Sequence, residues 1–158
     1  MNIQYRWVLF VILAALGASC AAPARPSDDA VFEFSSGGAY HVEGYGAWQT
    51  SLDAGGTFTA VHDVRGEVEE FGPYELTEAQ NDELWALIHA TGLQDLSSSE
   101  RLGLPDEVQY TFSLIEKGQV HEAALWAGDA REHEALMTLI EYIAALIEEQ
   151  TRQTAVLR

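Results

Sequence analysis

No disulfide can form within one copy of this chain, because Cys20 is its only cysteine. A folded region must therefore be held by its apolar core. Basic residues are scarce, with 8 Lys and Arg against 25 Asp and Glu and a formal net charge of -17. Nucleic acid and anionic headgroups repel such a chain, so a nucleic-acid function has no support. The one long apolar run, Trp7–Leu16, falls short of the ~20 residues that an ordinary spanning helix needs. Enzyme motifs are also missing from the sequence: it holds no Gly-rich phosphate loop, no HExxH and no GxSxG. The expectation is a non-enzymatic protein, with no catalytic residue, metal ligand or cofactor assigned.

What is present begins with a leader. Arg6 supplies a positive charge, Trp7–Leu16 is apolar, and Gly17-Ala18-Ser19 precedes Cys20. That order is secretory-signal architecture. It resembles the bacterial lipoprotein signal, which implies a signal peptide over residues 1–19 and a Cys20 thiol modified by lipid. Acyl chains such as palmitate would then anchor the protein without a spanning segment. Ordinary secretion with an unmodified thiol and an uncleaved anchor are the alternatives. Residues 20–30 read as the lipidated cysteine and a flexible tether, since Pro23 and Pro26 sit among small and polar residues. Ala21 follows the cysteine where aspartate would resemble an inner-membrane retention signal. The expected location is the outer membrane or periplasmic face of a double-membraned cell, or the outer surface of a single-membraned one.

Residues 31–158 are expected to form a single acidic α+β domain. Val31–Phe34 predicts a short strand interrupted by Ser35-Ser36-Gly37-Gly38. Trp48–Leu52 and Thr57–His62 predict a hairpin about Asp53-Ala54-Gly55-Gly56, and Glu67–Phe71 a further strand. Thr77-Glu78-Ala79-Gln80 matches a capping box, Leu84, Leu87 and Ile88 form an apolar stripe, and Gly92 marks the stop. Ser97–Pro105 reads as a loop. Val108, Tyr110, Phe112 and Leu114 alternate with polar residues and should face the core. Val120–Trp126 should return as a strand, with Trp126 packing on the sheet. The last helix is expected near Ala130, capped by Asp129 in a second capping box, with a fraying end over Gln150–Arg158. The fold class that follows is a small antiparallel sheet with two helices packed on one face, the other face open to solvent or a partner.

Partner-binding candidates are Tyr40, Tyr45 and Trp48 in the Gly-rich early region, because aromatic rings give contact area and polar handles. For Trp48 a place in the core is the competing reading. His62 with Asp63 and His121 with Glu122 would offer metal ligands if they met across the sheet; ordinary exposed strand residues are the bland alternative. His89 reads as a surface or boundary residue. The acids Asp63, Glu67, Glu69, Glu70, Glu75, Glu78, Asp82 and Glu83 lack EF-hand spacing and read as a solvated face, with a basic protein contact as the second possibility.

Three segments carry a wider resemblance: Phe34-Ser35-Ser36-Gly37-Gly38, a helix ending in Gly92-Leu93, and Asp106-Glu107-Val108-Gln109-Tyr110-Thr111-Phe112 before a hairpin and closing helix. In these the chain resembles the emfourin-type bacterial inhibitors of thermolysin-like metalloproteases. The resemblance implies a role in capping an extracellular protease. The leader, the acidic insertion and the Tyr40–Trp48 segment depart from the family pattern, and no inhibitory residue is transferred. The expected function is a membrane-anchored, non-enzymatic protein-binding or structural envelope module with a basic envelope protein or secreted protease as partner. Metalloprotease inhibition is the first alternative, and an enzyme with an unrecognised carboxylate or histidine site the second.

Overall fold

The computed structural model describes residues 25–37 and 46–157. Its centre is a six-stranded sheet built from β1 (Val31–Gly37), β2 (Ala47–Asp53), β3 (Thr57–Val64), β4 (Glu67–Glu75), β5 (Gln109–Glu116) and β6 (Gln119–Trp126). The spatial order is β4-β3-β2-β1-β5-β6, and every neighbouring pair is antiparallel. Helix α1 (Glu78–Ala90) and a 3-10 turn (Leu93–Asp95) connect β4 to β5. A single turn, α2 (Ala127–Ala130), and the long α3 (Glu134–Thr151) close the chain. The fold is α+β, as the residue patterns predict.

Alternation decides which face is buried. Phe32, Phe34, Trp48, Leu52, Phe58, Ala60, Tyr110, Phe112, Leu114, Ala123 and Leu125 all point to one side. Against them lie Leu84, Trp85 and Ile88 of α1 and Leu136, Leu139, Ile140, Ile143 and Ile147 of α3. Glu33, Ser35, Gln49, Ser51, Thr59, Thr111 and Ser113 occupy the opposite parity and leave that face open. The start of α1 is fixed by its capping box: Gln80 N–H donates to the Thr77 hydroxyl and Thr77 N–H to the Gln80 side chain. Gly92 takes φ 62 just beyond the helix, where a side chain would be strained.

Several expectations need correction. Ser35-Ser36-Gly37 does not interrupt β1. The strand runs through Gly37, because Ser36 is small enough to be buried between Trp48 and Tyr110 in the register. The fourth strand extends beyond Phe71 to Glu75, across a register shift opposite Phe58 and Ala60 and a cis Gly72-Pro73 bond. Asp129 caps no helix. It lies inside α2, and α3 begins only at Glu134, because the Asp129 carboxylate is engaged elsewhere. Nor does the chain fray after Gln150 as expected. Ala155 and Leu157 are buried, and the Tyr110 hydroxyl donates to the Leu157 carbonyl at 2.5 Å.

The sheet has two distinct ends. Residues 25–30 enter at the end that holds the β2–β3 and β5–β6 turns: Ala54 N–H donates to Ala30 O at 2.9 Å, and Gly118 N–H to the Asp29 carboxylate at 2.8 Å. The loop joining the 3-10 turn to β5 lies at the other end, beside Trp126 and Gly128. Among the described residues, no helix is long and apolar enough to cross a membrane.

Candidate functional site

Most large apolar side chains are inside the core, so those left outside stand out. Leu102 is 92% exposed and Leu104 is 68% exposed, and both sit on the polar loop before β5. Single exposed apolar residues are ordinary. Two on one loop are informative here because the loop is fixed in place.

The fixing starts with Arg101. Its guanidinium forks onto Glu107, with Nη1 to Oε2 at 2.8 Å and Nη2 to Oε1 at 2.6 Å. Its Nε donates to Asp129 at 2.8 Å. A planar guanidinium matched to a carboxylate by two parallel bonds fixes direction as well as distance. Glu107 also accepts from Leu104 N–H at 2.9 Å and Gly128 N–H at 3.0 Å. Asp129 accepts in addition from the Ser99 hydroxyl. The two ends of the loop are thereby tied to each other and to α2.

Charge follows geometry. Hydrogen bonds from Arg101, and then from Leu104 N–H, hold the Glu107 carboxyl down to about 2. The Ser99 hydroxyl and then Arg101 hold Asp129 below its ordinary value, and the same two carboxylates push Arg101 upward.

The loop is also fastened to the sheet. Ser99 N–H donates to Ala124 O at 2.9 Å, Ala124 N–H to the Ser98 hydroxyl at 3.0 Å, and Trp126 N–H to the Ser99 hydroxyl at 3.1 Å. These bonds cover part of the β6 edge. The Trp126 indole donates to Arg101 O at 3.1 Å. Its ring lies so close to Gly103 that an added Cβ would sit 2.6 Å from it. Trp126, expected to pack on the sheet, thus serves as the floor of the loop. A shallow groove runs from Leu102 and Leu104 over Trp126 towards Gln109 and Thr111 on the open face.

The residues singled out from sequence fall elsewhere. Cys20, Tyr40 and Tyr45 lie outside the described residues. Trp48 is fully buried and stacks on His62 at 4.1 Å, with its ring in the core. His62 and His121 do not meet: β2, β1 and β5 stand between their strands. His89 contacts Glu116 at 3.3 Å at the opposite end of the sheet. Glu67, Glu69, Glu70 and Glu75 lie exposed along the edge strand β4. Among the described residues, no three His, Cys, Asp or Glu side chains are placed to hold a metal ion.

Arg101, Leu102, Leu104, Glu107 and Asp129 were not candidates from sequence. Their one local signal is a pair of leucines in an otherwise polar loop; the third bond of Arg101, to Asp129, needs β6 to return that residue beside it. Comparison with protein-family models and with curated proteins found no match to this chain.

Proposed function

We propose that this chain is a membrane-anchored, non-enzymatic protein-binding module that docks its partner through loop 101–107. The observation that carries this reading is a pair of exposed leucines on a loop clamped at both ends. Removing a leucine side chain from water at a partner surface contributes about 1.5–3 kcal/mol. A loop already fixed in the free protein loses little further entropy on docking. Exposed carboxylates would steer a basic partner towards it.

Capture from envelope and secreted proteins at low and moderate salt tests the proposal, with the Leu102→Asp, Leu104→Asp double variant as control. A single saturable partner that survives moderate salt and is lost in the double variant is expected. Diffuse capture of basic proteins, lost as salt rises and unchanged in the variant, would contradict it.

Inhibition of an extracellular thermolysin-like metalloprotease is the second reading. It is favoured by the same clamp, since a peptide loop held by a bidentate ion pair presents a fixed shape to a cleft. Stoichiometric inhibition of secreted metalloproteases by the full chain, lost in the double variant, is its test. Activity undiminished at excess chain would remove it.

A further inference from the structure

Exposed leucines beside a tryptophan suit either a protein pocket or a bilayer, and the position of the tether separates the two. Segment 25–30 is docked at the end of the sheet remote from the loop. Ser27 N–H donates to the Glu116 carboxylate at 3.3 Å, and Lys117 N–H to the Ser27 hydroxyl at 3.2 Å. Asp29 accepts from Lys117 N–H at 3.2 Å and Gly118 N–H at 2.8 Å. The Ser27 hydroxyl and then Gly118 N–H hold the Asp29 carboxyl below its ordinary value. Glu116 and Gln109 mark the two ends of β5. That strand spans about 24 Å at ~3.4 Å per residue.

From Cys20 to Arg25 the chain can reach ~17 Å at most, even fully extended. A lipid at Cys20 therefore stays within that reach of the end where segment 25–30 is docked. The leash is also shorter than the strand that separates the two ends. Charge bears on the partner rather than on the orientation. Segment 97–107 carries Glu100, Asp106 and Glu107 against Arg101 alone, and Glu100 and Asp106 are exposed. Anionic headgroups would repel that end, whereas basic groups around an apolar pocket would complement it.

We infer that the leucine loop faces away from the anchoring bilayer and docks into an apolar, basic-rimmed pocket of a soluble protein. The inference rests on the docking function proposed above and on a lipid at Cys20.

The test uses the full lipidated chain in vesicles of zwitterionic and anionic lipid that carry an acceptor dye on the headgroups. One preparation bears a donor dye at Leu102→Cys, the other at Gln119→Cys; both positions are exposed. Energy transfer several-fold stronger from position 119 than from position 102 is expected. Equal or stronger transfer from position 102, with the chain still floating with the vesicles, would overturn the orientation alone. Vesicle association unchanged by Leu102→Asp with Leu104→Asp is expected; its loss would mean that the leucines enter the bilayer and would overturn the proposal. Failure of the full chain to float at all would remove the anchor, and the inference with it. That outcome leaves partner capture by the loop to be judged on its own assay.

Discussion

Arg101 holds the candidate site together with one planar group. Its fork onto Glu107 and its third bond to Asp129 need the geometry of a guanidinium, so Arg101→Lys keeps the charge and loses the match. The expected outcome is increased backbone mobility over residues 102–106 by NMR relaxation, with the melting temperature nearly unchanged. Mobility equal to that of the unsubstituted protein would contradict the clamp. The pH dependence has a definite sign. The folded Glu107 carboxyl is depressed from 4.5 to about 2, so the clamp is fully formed above 4.5 and is lost as the pH falls towards 2. Loop order followed by NMR should therefore persist below the ordinary carboxylate value and be lost only as the pH falls towards 2. Leu102→Asp should leave stability within about 0.5 kcal/mol, because the position is already in water.

Phe112 and Thr77 test the elements. Phe112 lies at the middle of β5, fully buried against Phe34 with ring centroids 5.4 Å apart. Phe112→Ala should cost about 3–5 kcal/mol in urea unfolding, through lost burial and the cavity left behind. Thr77→Ala removes half of a capping box and should cost about 1 kcal/mol by the same measurement. Both positions were legible in the sequence, for they depend on neighbours a few residues away: the alternation of Val108 to Leu114, and Thr77 with Gln80. Asp129 was misread for the opposite reason. Its local pattern is a capping box, but Arg101 and Ser99 take its carboxylate from 28 and 30 residues away. The tail was misread likewise, since nothing near Leu157 in sequence announces Tyr110. The loop itself was legible as a loop; its rigidity was not, because no short pattern joins Arg101 to Asp129.

At the scale of the whole molecule, a net charge of -17 works against compactness. Salt that shortens the Debye length from ~10 Å at 0.1 M to ~3 Å at 1 M should raise the melting temperature. A fall would show that attractive pairs such as Arg101–Glu107 outweigh the self-repulsion. The same acids protect the sheet: Glu67, Glu69 and Glu70 on β4 make edge-to-edge pairing unfavourable. Replacing all three with threonine should produce concentration-dependent dimers in analytical ultracentrifugation, whereas a monomer at every concentration would contradict that role. Segment 25–30 and the leucine loop occupy opposite ends of the sheet, and this polarity gives the docking reading its physical form. Titration of a captured partner with the full chain and with the Leu102→Asp, Leu104→Asp variant at moderate salt tests that reading most directly. Saturable binding by the former, weakened at least tenfold in the latter at a cost of about 1.4 kcal/mol or more, is the expected result. Equal affinity of the two chains would place the binding surface elsewhere.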